Sequence, residues 1–495
     1  MRKAKIVCTI GPASQSPAML HRLIESGMNA ARLNFSHGTH DSHARAIAAI
    51  RQAASHQGTA IAIIQDLQGP RIRVGVVAQE GIEVKAGQTV RLRTAWPPTA
   101  DDRLLPSSPP EIPVTYPRLA RDLRAGARVL INDGLIELVA ERISDEVIDC
   151  SVLTGGTITS HKGINLPGTT VTVPAVTEKD RDDIRFGVEQ GVDYLALSFV
   201  RGPHDIATAR TLLEECGARI PIIAKIERAE AVAALEDILD CADGVMIARG
   251  DLGVEMGPEA VPILQKRIIV EANRWRRLVI TATQMLESMT QAARPTRAEA
   301  SDVANAVFDG SDAVMLSAET AVGAYPVEAV QVMDRLIRAA EDTTEPGVTV
   351  NAHPSGGKPS PAEAISMAAV SAAGSVRANA IVAFTESGTT ARLISKHRPA
   401  SPLLAFTPSD AIRRQMALYW GVRPFPMSQG GPPEAWLEEA EQRLAVEQLV
   451  RPGDVIAVVS GTMAGQVGGT NMLKLHEIRS LTSAHDESPT TSQTS

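Results

Sequence analysis

The stretch PIIAKIERAEAVAALEDILDCADGVMIARGD, residues 221–251, decides the fold class of this chain. It contains two short apolar runs, Pro221–Ile226 and Gly244–Ala248, with a helical pattern between them. Both runs are continuously apolar instead of alternating, which is typical of parallel strands that are buried on both faces. The stretch therefore predicts a strand, a helix and a second strand parallel to the first.

Six more apolar runs repeat this unit, mostly at intervals of roughly 23 to 35 residues that are typical of strand–helix units. They are Ala4–Ile10, Ala30–Phe35, Ala60–Gln65, Tyr194–Val200, Leu278–Ala282 and Ala313–Leu316. Eight such strands predict an α/β fold in the form of a (β/α)8 TIM barrel. The interval between the third and fourth strands is far longer than the others, so it must hold an insertion.

The remaining sequence predicts two more domains. The long interval contains short β-like pieces and a proline-rich loop, which indicate a small inserted β-barrel domain. Beyond the barrel, a linker rich in turn-forming residues precedes four more apolar runs that alternate with helical patterns, as in an open α/β domain. The predicted boundaries are 1–69 and 168–341 for the barrel, 70–167 for the inserted lid, 342–361 for the linker, 362–476 for the C-terminal domain and 477–495 for a disordered tail.

Composition excludes several classes of protein. The chain has 49 Lys and Arg against 57 Asp and Glu, a formal net charge of −8, and only 3% aromatic residues. Such a chain is not expected to bind nucleic acid or a membrane surface broadly. It has no apolar run of about 18 residues that would predict a transmembrane helix, and Ile6–Ile10 is too short for a signal peptide. The four scattered cysteines fit the reduced thiols of a cytoplasmic protein.

Polar residues follow every predicted barrel strand, at the end where a TIM barrel carries its active site. Lys225 and Glu227 alternate along one strand, so both side chains point to the same side of it. Asp251 follows the neighbouring strand, and Glu227 with Asp251 makes the sparse carboxylate pair that Mg²⁺ prefers. Lys225 beside them would neutralise charge on a transferring phosphoryl group or an enolate. Arg32 and Arg73 would add phosphate contacts.

The common nucleotide-binding loops are missing from the sequence. Gly357-Lys358-Pro359 lacks the spacing and the hydroxyl residue of a Walker A motif, and the glycine-rich stretch 461–469 does not match a dinucleotide fingerprint. A nucleotide, if one binds, must therefore be held by another arrangement.

Eight segments around these residues make the chain resemble the pyruvate kinase family, in the family's order and at its intervals. They are KIVCTIGPAS (5–14), GMNAARLNFSHG (27–38), KGINLPG (162–168), EKDRDDIRFGVEQGVDYLALSFVR (178–201), IIAKIE (222–227), MIARGDLGVE (246–255), ITATQMLESM (280–289) and RPTRAEASDVANAVFDGSDAVMLSAET (294–320). The resemblance covers most of the barrel. It implies glycolytic transfer of the phosphoryl group of phosphoenolpyruvate to ADP, which gives ATP and pyruvate.

The resemblance also implies roles in the binding of substrates and metal. Glu227 and Asp251 would bind Mg²⁺ (or Mn²⁺), and Lys225 would stabilise the phosphoryl group in flight. The substrate carboxylate would be bound by Thr283 and by the backbone N–H groups of Gly250 and Asp251, at a helix N-terminus. Arg32 and Arg73 would contact phosphate. Lys162, in the insertion, would reach the phosphates of the nucleotide, which arrives with a second Mg²⁺.

Two further expectations concern proton transfer and exclusion of water. After the phosphoryl group leaves, the enolate must be protonated, and the candidates are Thr283 and a water relay near Ser317. Closure of the inserted domain over the site would exclude water and protect the phosphoryl group from hydrolysis.

One departure from the family bears on the requirement for K⁺. Many members bind K⁺ through the residues that match Asn34, Ser36, Asp66 and the backbone carbonyl of Leu67, and they typically carry an acidic residue where this chain has Arg71. The chain resembles the K⁺-independent branch, which has a basic residue at that position. A fixed guanidinium there would supply the positive charge of K⁺, so we expect no K⁺ requirement. The alternative is that Arg71 is an ordinary surface arginine.

The C-terminal domain carries a second candidate site. A loop that follows a strand and opens a helix is rich in hydroxyl groups and suits a phosphate; its residues are Thr385, Ser387, Gly388, Thr389 and Thr390. In the family this loop and the glycine-rich loop near 460–469 form an effector pocket for sugar phosphates or nucleotides. The alternative is a simple helix N-cap. The resemblance also implies a homotetramer.

Two other functions remain open on the sequence. Another Mg²⁺-dependent barrel that acts on phosphoenolpyruvate or pyruvate, such as an aldolase or a phosphonate-forming mutase, would share the acidic metal pair but would need neither the lid nor Lys162. A catalytically inactive metabolite sensor would be expected to have lost Lys225, Glu227 or Asp251, and the chain retains all three.

Overall fold

The computed structural model describes residues 2–94, 108–343, 359–428, 433–461 and 469–478 of the 495-residue chain. The described residues form two compact units. The larger unit comprises residues 6–59 and 63–340, and the smaller comprises the described parts of 1–5, 60–62 and 341–495.

Eight parallel strands close into a barrel, which confirms the predicted fold class. They are β1 (Lys5–Thr9), β2 (Ala30–Asn34), β3 (Ala62–Asp66), β12 (Tyr194–Leu197), β13 (Ile222–Ile226), β14 (Gly244–Ala248), β15 (Leu278–Ala282) and β16 (Ala313–Leu316). Around the ring each strand lies next to the strand that follows it in the barrel sequence. Seven of the eight strands are buried along their whole length, which is why the sequence shows continuous apolar runs.

Helices connect successive barrel strands and also follow the last one. They are α1 (Pro17–Glu25), α2 (His40–His56), α4 (Glu178–Glu189), α5 (Pro203–Glu215), α6 (Ala229–Ala233), α7 (Leu235–Cys241), α8 (Arg249–Met256), α9 (Val261–Arg274), α10 (Arg297–Phe308), α11 (Ala318–Ala321) and α12 (Pro326–Thr343), with a 3₁₀ turn at Glu287–Thr290. Three of these helices begin with reciprocal capping boxes, at Thr39, Thr177 and Thr296. In each box the threonine side chain accepts a bond from the N3 backbone, which satisfies an amide that the helix leaves free.

The insertion between β3 and α4 consists of short strands around its own apolar core. Its elements are β4 (Ile82–Val84), β5 (Thr89–Arg93), β6 (Glu111–Pro113), α3 (Leu119–Asp122), β7 (Arg128–Ile131), β8 (Ile136–Ile143), β9 (Val147–Thr154), β10 (Gly156–Ile158) and β11 (Ile164–Asn165). Six strands form a sheet in the order β11-β7-β8-β9-β5-β6, and β4 pairs with β10. Most of the predicted proline-rich loop lies outside the described residues.

The smaller unit is an open, mostly parallel sheet with helices. Its elements are α13 (Pro361–Ser375), β17 (Ala380–Phe384), α14 (Thr389–Lys396), β18 (Leu403–Thr407), α15 (Asp410–Met416), β19 (Val422–Pro426), α16 (Pro433–Val446), β20 (Val455–Gly461) and β21 (Thr470–Glu477). The strand order is β19-β18-β17-β20-β21, with β21 antiparallel to β20. The sequence did not predict β21, which forms the edge of this sheet. Most of the predicted linker and tail lies outside the described residues.

Candidate active site

Four charged side chains form one connected group at the carboxyl ends of β2, β3 and β13. Arg32 Nε lies 2.6 Å from Asp66 Oδ2, and Lys225 Nζ lies 3.2 Å from Asp66 Oδ1 and 2.8 Å from Glu227 Oε1. Asp66 and Glu227 are each only 1% exposed. The charges alternate in sign along the group, so each buried carboxylate has a cationic neighbour.

Lys225 stays positively charged at the centre of this group. Burial by itself favours the neutral amine, but the carboxylates of Asp66 and Glu227 outweigh it and raise the lysine pKa. For Asp66 burial opposes ionisation, yet the adjacent Lys225 and Arg32 cations hold its pKa below the ordinary range. Lys225 also donates a hydrogen bond of 2.8 Å to the Ser198 hydroxyl. The network therefore fixes a cation beside two ionisable acids.

The surroundings of Glu227 disfavour its ionised form and raise its pKa. Burial is the main cause of its raised pKa, and the nearby Asp251 raises it further despite the opposing effect of Lys225. Its second oxygen accepts a 2.8 Å hydrogen bond from the backbone N–H of Phe199. Phe199 adopts a left-handed backbone (φ 56°), an uncommon conformation for a bulky residue, and this places its amide at the carboxylate.

The residues around Glu227 fit a divalent cation that is bound by few protein ligands. Asp251 lies in the first turn of α8, after β14, and interacts electrostatically with Glu227. Within the described ranges no group of three or more His, Cys, Asp or Glu side chains is arranged to hold a metal. Mg²⁺ suits a pair of carboxylates, because water and substrate oxygens complete its coordination. A cation there would also relieve the repulsion that raises the pKa of Glu227.

Thr283 and Gly250, the expected carboxylate binders, lie in contact at the ends of β15 and β14. The Gly250 N–H donates to Thr283 Oγ1 at 2.8 Å, and that hydroxyl donates to the Ala282 carbonyl at 2.6 Å. Thr283 and Gln284 both have a left-handed backbone, with φ of 68° and 53°.

The strained turn after β15 is held by Arg249, whose role the sequence pattern does not indicate. Arg249 donates to the Thr283 carbonyl at 2.7 Å and forms an ion pair with Asp302, also at 2.7 Å. Its side chain therefore supports the loop that carries Thr283. The sequence signal was the position itself, since Arg249 immediately follows β14.

Ser317 is the other candidate for proton transfer, and its hydroxyl is available. Its Oγ is buried and has no hydrogen-bond partner in the parts of the chain that the structure describes. Its backbone N–H donates to Glu319 at 2.6 Å. A buried hydroxyl without a partner is costly, so a bound water or substrate atom would satisfy it.

The candidate phosphate residues of the insertion lie beside the barrel. The cations of Arg71, Arg73 and Arg32 all lower the pKa of His37, after burial as the main cause, so the three arginines converge near this histidine. Arg73 donates to the carbonyl of His161 at 3.2 Å. Lys162 is the next residue, and its side chain is exposed.

The four predicted K⁺ ligands lie together, but most of their oxygens already accept hydrogen bonds or ion pairs. Asn34 Oδ1 accepts from the backbone N–H of Ser36 at 3.1 Å, and the Leu67 carbonyl accepts from the Ser198 hydroxyl at 2.7 Å. Asp66 is paired with the two cations described above. The cations of Arg32 and Lys225 thus lie beside Asp66, whereas the donors to Asn34 and Leu67 are neutral groups.

A small cavity connects the insertion with the carboxylates. Its volume is about 60 Å³, room for only a few water molecules. Its lining includes Arg71, Asp133 and Leu166 from the insertion, and Glu227 and Asp251 from the barrel.

The predicted effector residues follow β17 in the smaller unit. Gly388 has a left-handed backbone (φ 77°) and precedes α14, and Ser387 Oγ donates to Thr389 Oγ1 at 3.0 Å. Thr390 Oγ1 lies 2.6 Å from Thr470 Oγ1, and Thr385 is buried. β17 and β20 are neighbours at the point where the strand order reverses, which is where open α/β sheets bind ligands. Most of the glycine-rich loop after β20 lies outside the described residues.

Family models match both units of the chain. The model described as pyruvate kinase, barrel domain, matches residues 1–330, and the one described as pyruvate kinase, alpha/beta domain, matches residues 363–476. In the described part of the chain, no helix is both long enough and apolar enough to span a membrane.

Individual proteins match over nearly the whole chain. Pyruvate kinases of Sporosarcina psychrophila and Geobacillus stearothermophilus are 43% and 44% identical over 484 and 483 residues, which is 97% of this chain and 81% of each relative. A crystal structure of a pyruvate kinase from Cryptosporidium parvum superposes with a TM-score of 0.89 at 39% identity, covering 96% of both chains.

Proposed function

The chain belongs to the pyruvate kinase family of phosphotransferases, and we propose that it transfers the phosphoryl group of phosphoenolpyruvate to ADP through the charge network at the barrel mouth. The observation that carries this proposal is the buried Lys225 cation between Asp66 and Glu227, with Asp251 beside it. A cation fixed next to two metal-binding acids stabilises charge that is passed between phosphate oxygens.

Each end of phosphoenolpyruvate has a matching set of groups. Arg32 and Arg73 would bind the phosphate, and Lys225 would stabilise the phosphoryl group during transfer. The substrate carboxylate would take over the Gly250 N–H and the Thr283 hydroxyl, which now bond to each other. Mg²⁺ or Mn²⁺ held by Glu227 and Asp251 would neutralise phosphate charge.

Protonation of the enolate completes the reaction. The P–O bond of phosphoenolpyruvate breaks as the new bond to the ADP oxygen forms, and the enolate carbon then takes a proton to give pyruvate. Ser317 would hold the water that delivers this proton, because its hydroxyl is buried and has no partner among the described residues. Thr283 is the second candidate.

The insertion would act as a lid. The cavity between insertion and barrel is lined by both, including Arg71 of the insertion and Asp251 of the barrel, so movement of the insertion would change access to the carboxylates. Lys162, exposed on the insertion, would then contact the nucleotide phosphates, and ADP would bring a second Mg²⁺. Closure would exclude water from the phosphoryl group.

We further propose that the enzyme does not require K⁺. The Asn34 and Leu67 oxygens accept bonds from protein donors, and Arg71 lies close enough to act on His37 together with Arg32. Activity in sodium-free Tris or tetramethylammonium buffer is expected to be unchanged by KCl. Strong activation by KCl would contradict the proposal.

The smaller unit would bind an effector. The hydroxyl-rich loop Thr385–Thr390 lies at the strand-order reversal, a position suited to a sugar phosphate or nucleotide phosphate.

The enzyme would act as a homotetramer in the cytoplasm. On the barrel, Ile263 and Val270 of α9 and Phe308 of α10 are at least half exposed, and subunit contact would cover them. Light scattering of wild type and Ile263→Asp tests this, because the variant is expected to dissociate.

The experiment that tests the main proposal is a coupled assay of ATP formation from phosphoenolpyruvate and ADP, run with panels of divalent cations and effectors. ATP formation with equal formation of pyruvate is expected. Consumption of phosphoenolpyruvate without ATP would favour an aldolase or mutase. Binding of phosphoenolpyruvate without any turnover would indicate a sensor.

A further inference from the structure

The segment of residues 168–172, called here the exit segment, leads the chain from the insertion back to the barrel. Val171 belongs to the apolar core of the insertion, whereas Val176, five residues later, belongs to the barrel core. Asp122, in α3 of the insertion, accepts a 2.8 Å bond from the backbone N–H of Thr172. The exit segment is therefore packed with the insertion, although it borders the barrel.

Three barrel side chains bind the backbone of this segment. Arg201 donates to the Val171 carbonyl at 2.6 Å, and Arg228 donates to the Thr169 carbonyl at 3.0 Å. Glu255 Oε1 accepts from the Gly168 N–H at 3.3 Å. Among the described residues the exit segment has no strand partner, so side chains satisfy backbone groups that a sheet would otherwise satisfy.

The three contacts differ in strength along the segment. Arg201 makes the shortest bond and is itself held by Asp205, whose carboxylate lies 3.3 Å from the guanidinium. The Glu255 contact is longer than a typical N–H···O bond, and Glu255 lies 3.9 Å from Arg228. The contact at Gly168 is thus the longest of the three, and the one at Val171 is the shortest.

Two of the three contact residues, Arg228 and Glu255, lie close in sequence to the proposed metal-binding acids. Arg228 directly follows Glu227, and Glu255 lies one helical turn after Asp251 on α8. Arg228 and Glu255 also line the cavity between insertion and barrel. The position of the insertion is thus tied to the same elements that hold the two carboxylates.

We propose that Arg201, Arg228 and Glu255 are positioning residues that hold the insertion over the barrel mouth through the backbone of the exit segment. Their effect on nucleotide binding rests on the proposed function, because it acts through Lys162 on the insertion. Loss of Arg228 would free the Thr169 carbonyl and leave Glu255 without its nearest cation. The insertion would then spend more time away from the mouth, and ADP would bind more weakly.

The test combines hydrogen–deuterium exchange of peptides that cover the exit segment with steady-state kinetics of Arg228→Ala. We expect exchange at residues 168–172 to be roughly 10-fold faster and the KM for ADP to rise by roughly 10-fold, since bonds to a charged group are lost. The kcat is expected to change by less than about threefold. Arg228→Lys, which keeps a charged donor, should recover most of the effect.

Two further variants keep the result interpretable. Arg210→Ala removes a barrel arginine that bonds Cys241 and Asp243 before β14, at the opposite end of the strand, and should leave the ADP KM unchanged. Glu255→Gln, with milder effects in the same direction, serves if Arg228→Ala does not fold. Unchanged exchange, or faster exchange with an unchanged KM for ADP, would overturn the proposal. Absence of ATP formation by the wild type would instead overturn the proposed function, while exchange would still test the contacts.

Discussion

Lys225 and Lys5 are both buried lysines, one at the barrel mouth and one in the smaller unit. Lys225 lies between the carboxylates of Asp66 and Glu227, which outweigh burial and raise its pKa. Lys5 instead donates to the Val422 carbonyl at 2.7 Å, and burial lowers its pKa to about 7. Equal burial gives opposite shifts, so the charges within reach decide which form each lysine takes.

This difference explains why the barrel mouth around Lys225 is suited to binding a charged substrate and the surroundings of Lys5 are not. The two acids raise the pKa of Lys225 and favour its charged form, so a phosphoryl group bound there would meet a cation. For Lys5, burial outweighs the opposing effect of Glu341, so this lysine loses its charge near neutrality and contributes packing and one hydrogen bond. Changing Lys225 therefore tests enzymatic activity, whereas changing Lys5 tests stability.

Removing the Lys225 cation should have the largest effect on activity. Lys225→Met is expected to lower kcat by roughly 1,000-fold or more, because no other side chain replaces the charge beside the phosphoryl group. The coupled assay of ATP formation measures this loss.

Folding must be checked because Lys225→Met leaves Glu227 without its cation. Arg32 still pairs with Asp66, so circular dichroism should show a folded protein, and Lys225→Arg serves as a variant that keeps the charge. Activity of Lys225→Met within about tenfold of wild type would refute the role proposed for this cation.

Removing one acid should have the next largest effect and should act through the metal. Glu227→Gln is expected to raise the Mg²⁺ concentration for half-maximal activity by roughly 100-fold, since a neutral amide is a poor ligand for a hard cation. Titration of activity with MgCl₂ measures this shift. Asp182→Asn, at an exposed acid on α4, is the control and should not change the titration. Equal curves for Glu227→Gln and wild type would show that Glu227 is not a metal ligand.

The sequence predicted the barrel because eight strands that are apolar along their length recur at the intervals of strand–helix units. It also predicted that the polar side chains at the strand ends lie near one another, because strand ends of a closed barrel must converge, but it did not predict that Asp66 pairs with Arg32 and Lys225. It could not predict that Phe199 and Thr283 take left-handed backbones, since neither residue type favours them. The strand β11 was missed because two residues are too few to show a hydrophobic period. The strand β21 was missed because an exposed edge strand leaves no clear hydrophobic period.

A reversal of charge at the edge of the mouth should have a smaller effect. Arg71→Glu places an acid where K⁺-dependent relatives of the family carry one, so activity without K⁺ should fall and KCl should restore it by roughly tenfold. Rates in tetramethylammonium buffer with and without KCl measure this response. Arg71→Gln, which only removes the charge, should show less activation. If KCl affects Arg71→Glu and wild type alike, Arg71 does not substitute for K⁺.

The smallest effect concerns Lys5 and appears in stability, not in turnover. Its folded pKa of about 7 lies below the ordinary value of 10.5, so between these values the unfolded chain binds more protons than the folded one. The contribution of Lys5 to the free energy of unfolding is therefore largest above pH 10.5 and is lost as pH falls toward 7. Arg2 favours this shift and Glu341 opposes it, and both stay unchanged in Lys5→Met.

Lys5→Met keeps most of the buried volume but cannot titrate, so the comparison with wild type isolates the proton. The Tm of wild type minus that of Lys5→Met should increase by a few degrees between about pH 7 and about pH 9, measured by scanning calorimetry. Lys85→Met, at an exposed lysine, should show no such trend. A difference that stays constant with pH would mean that Lys5 remains charged when buried. The contrast with Lys225 would then lie in the neighbours' geometry and not in the charge of the two lysines.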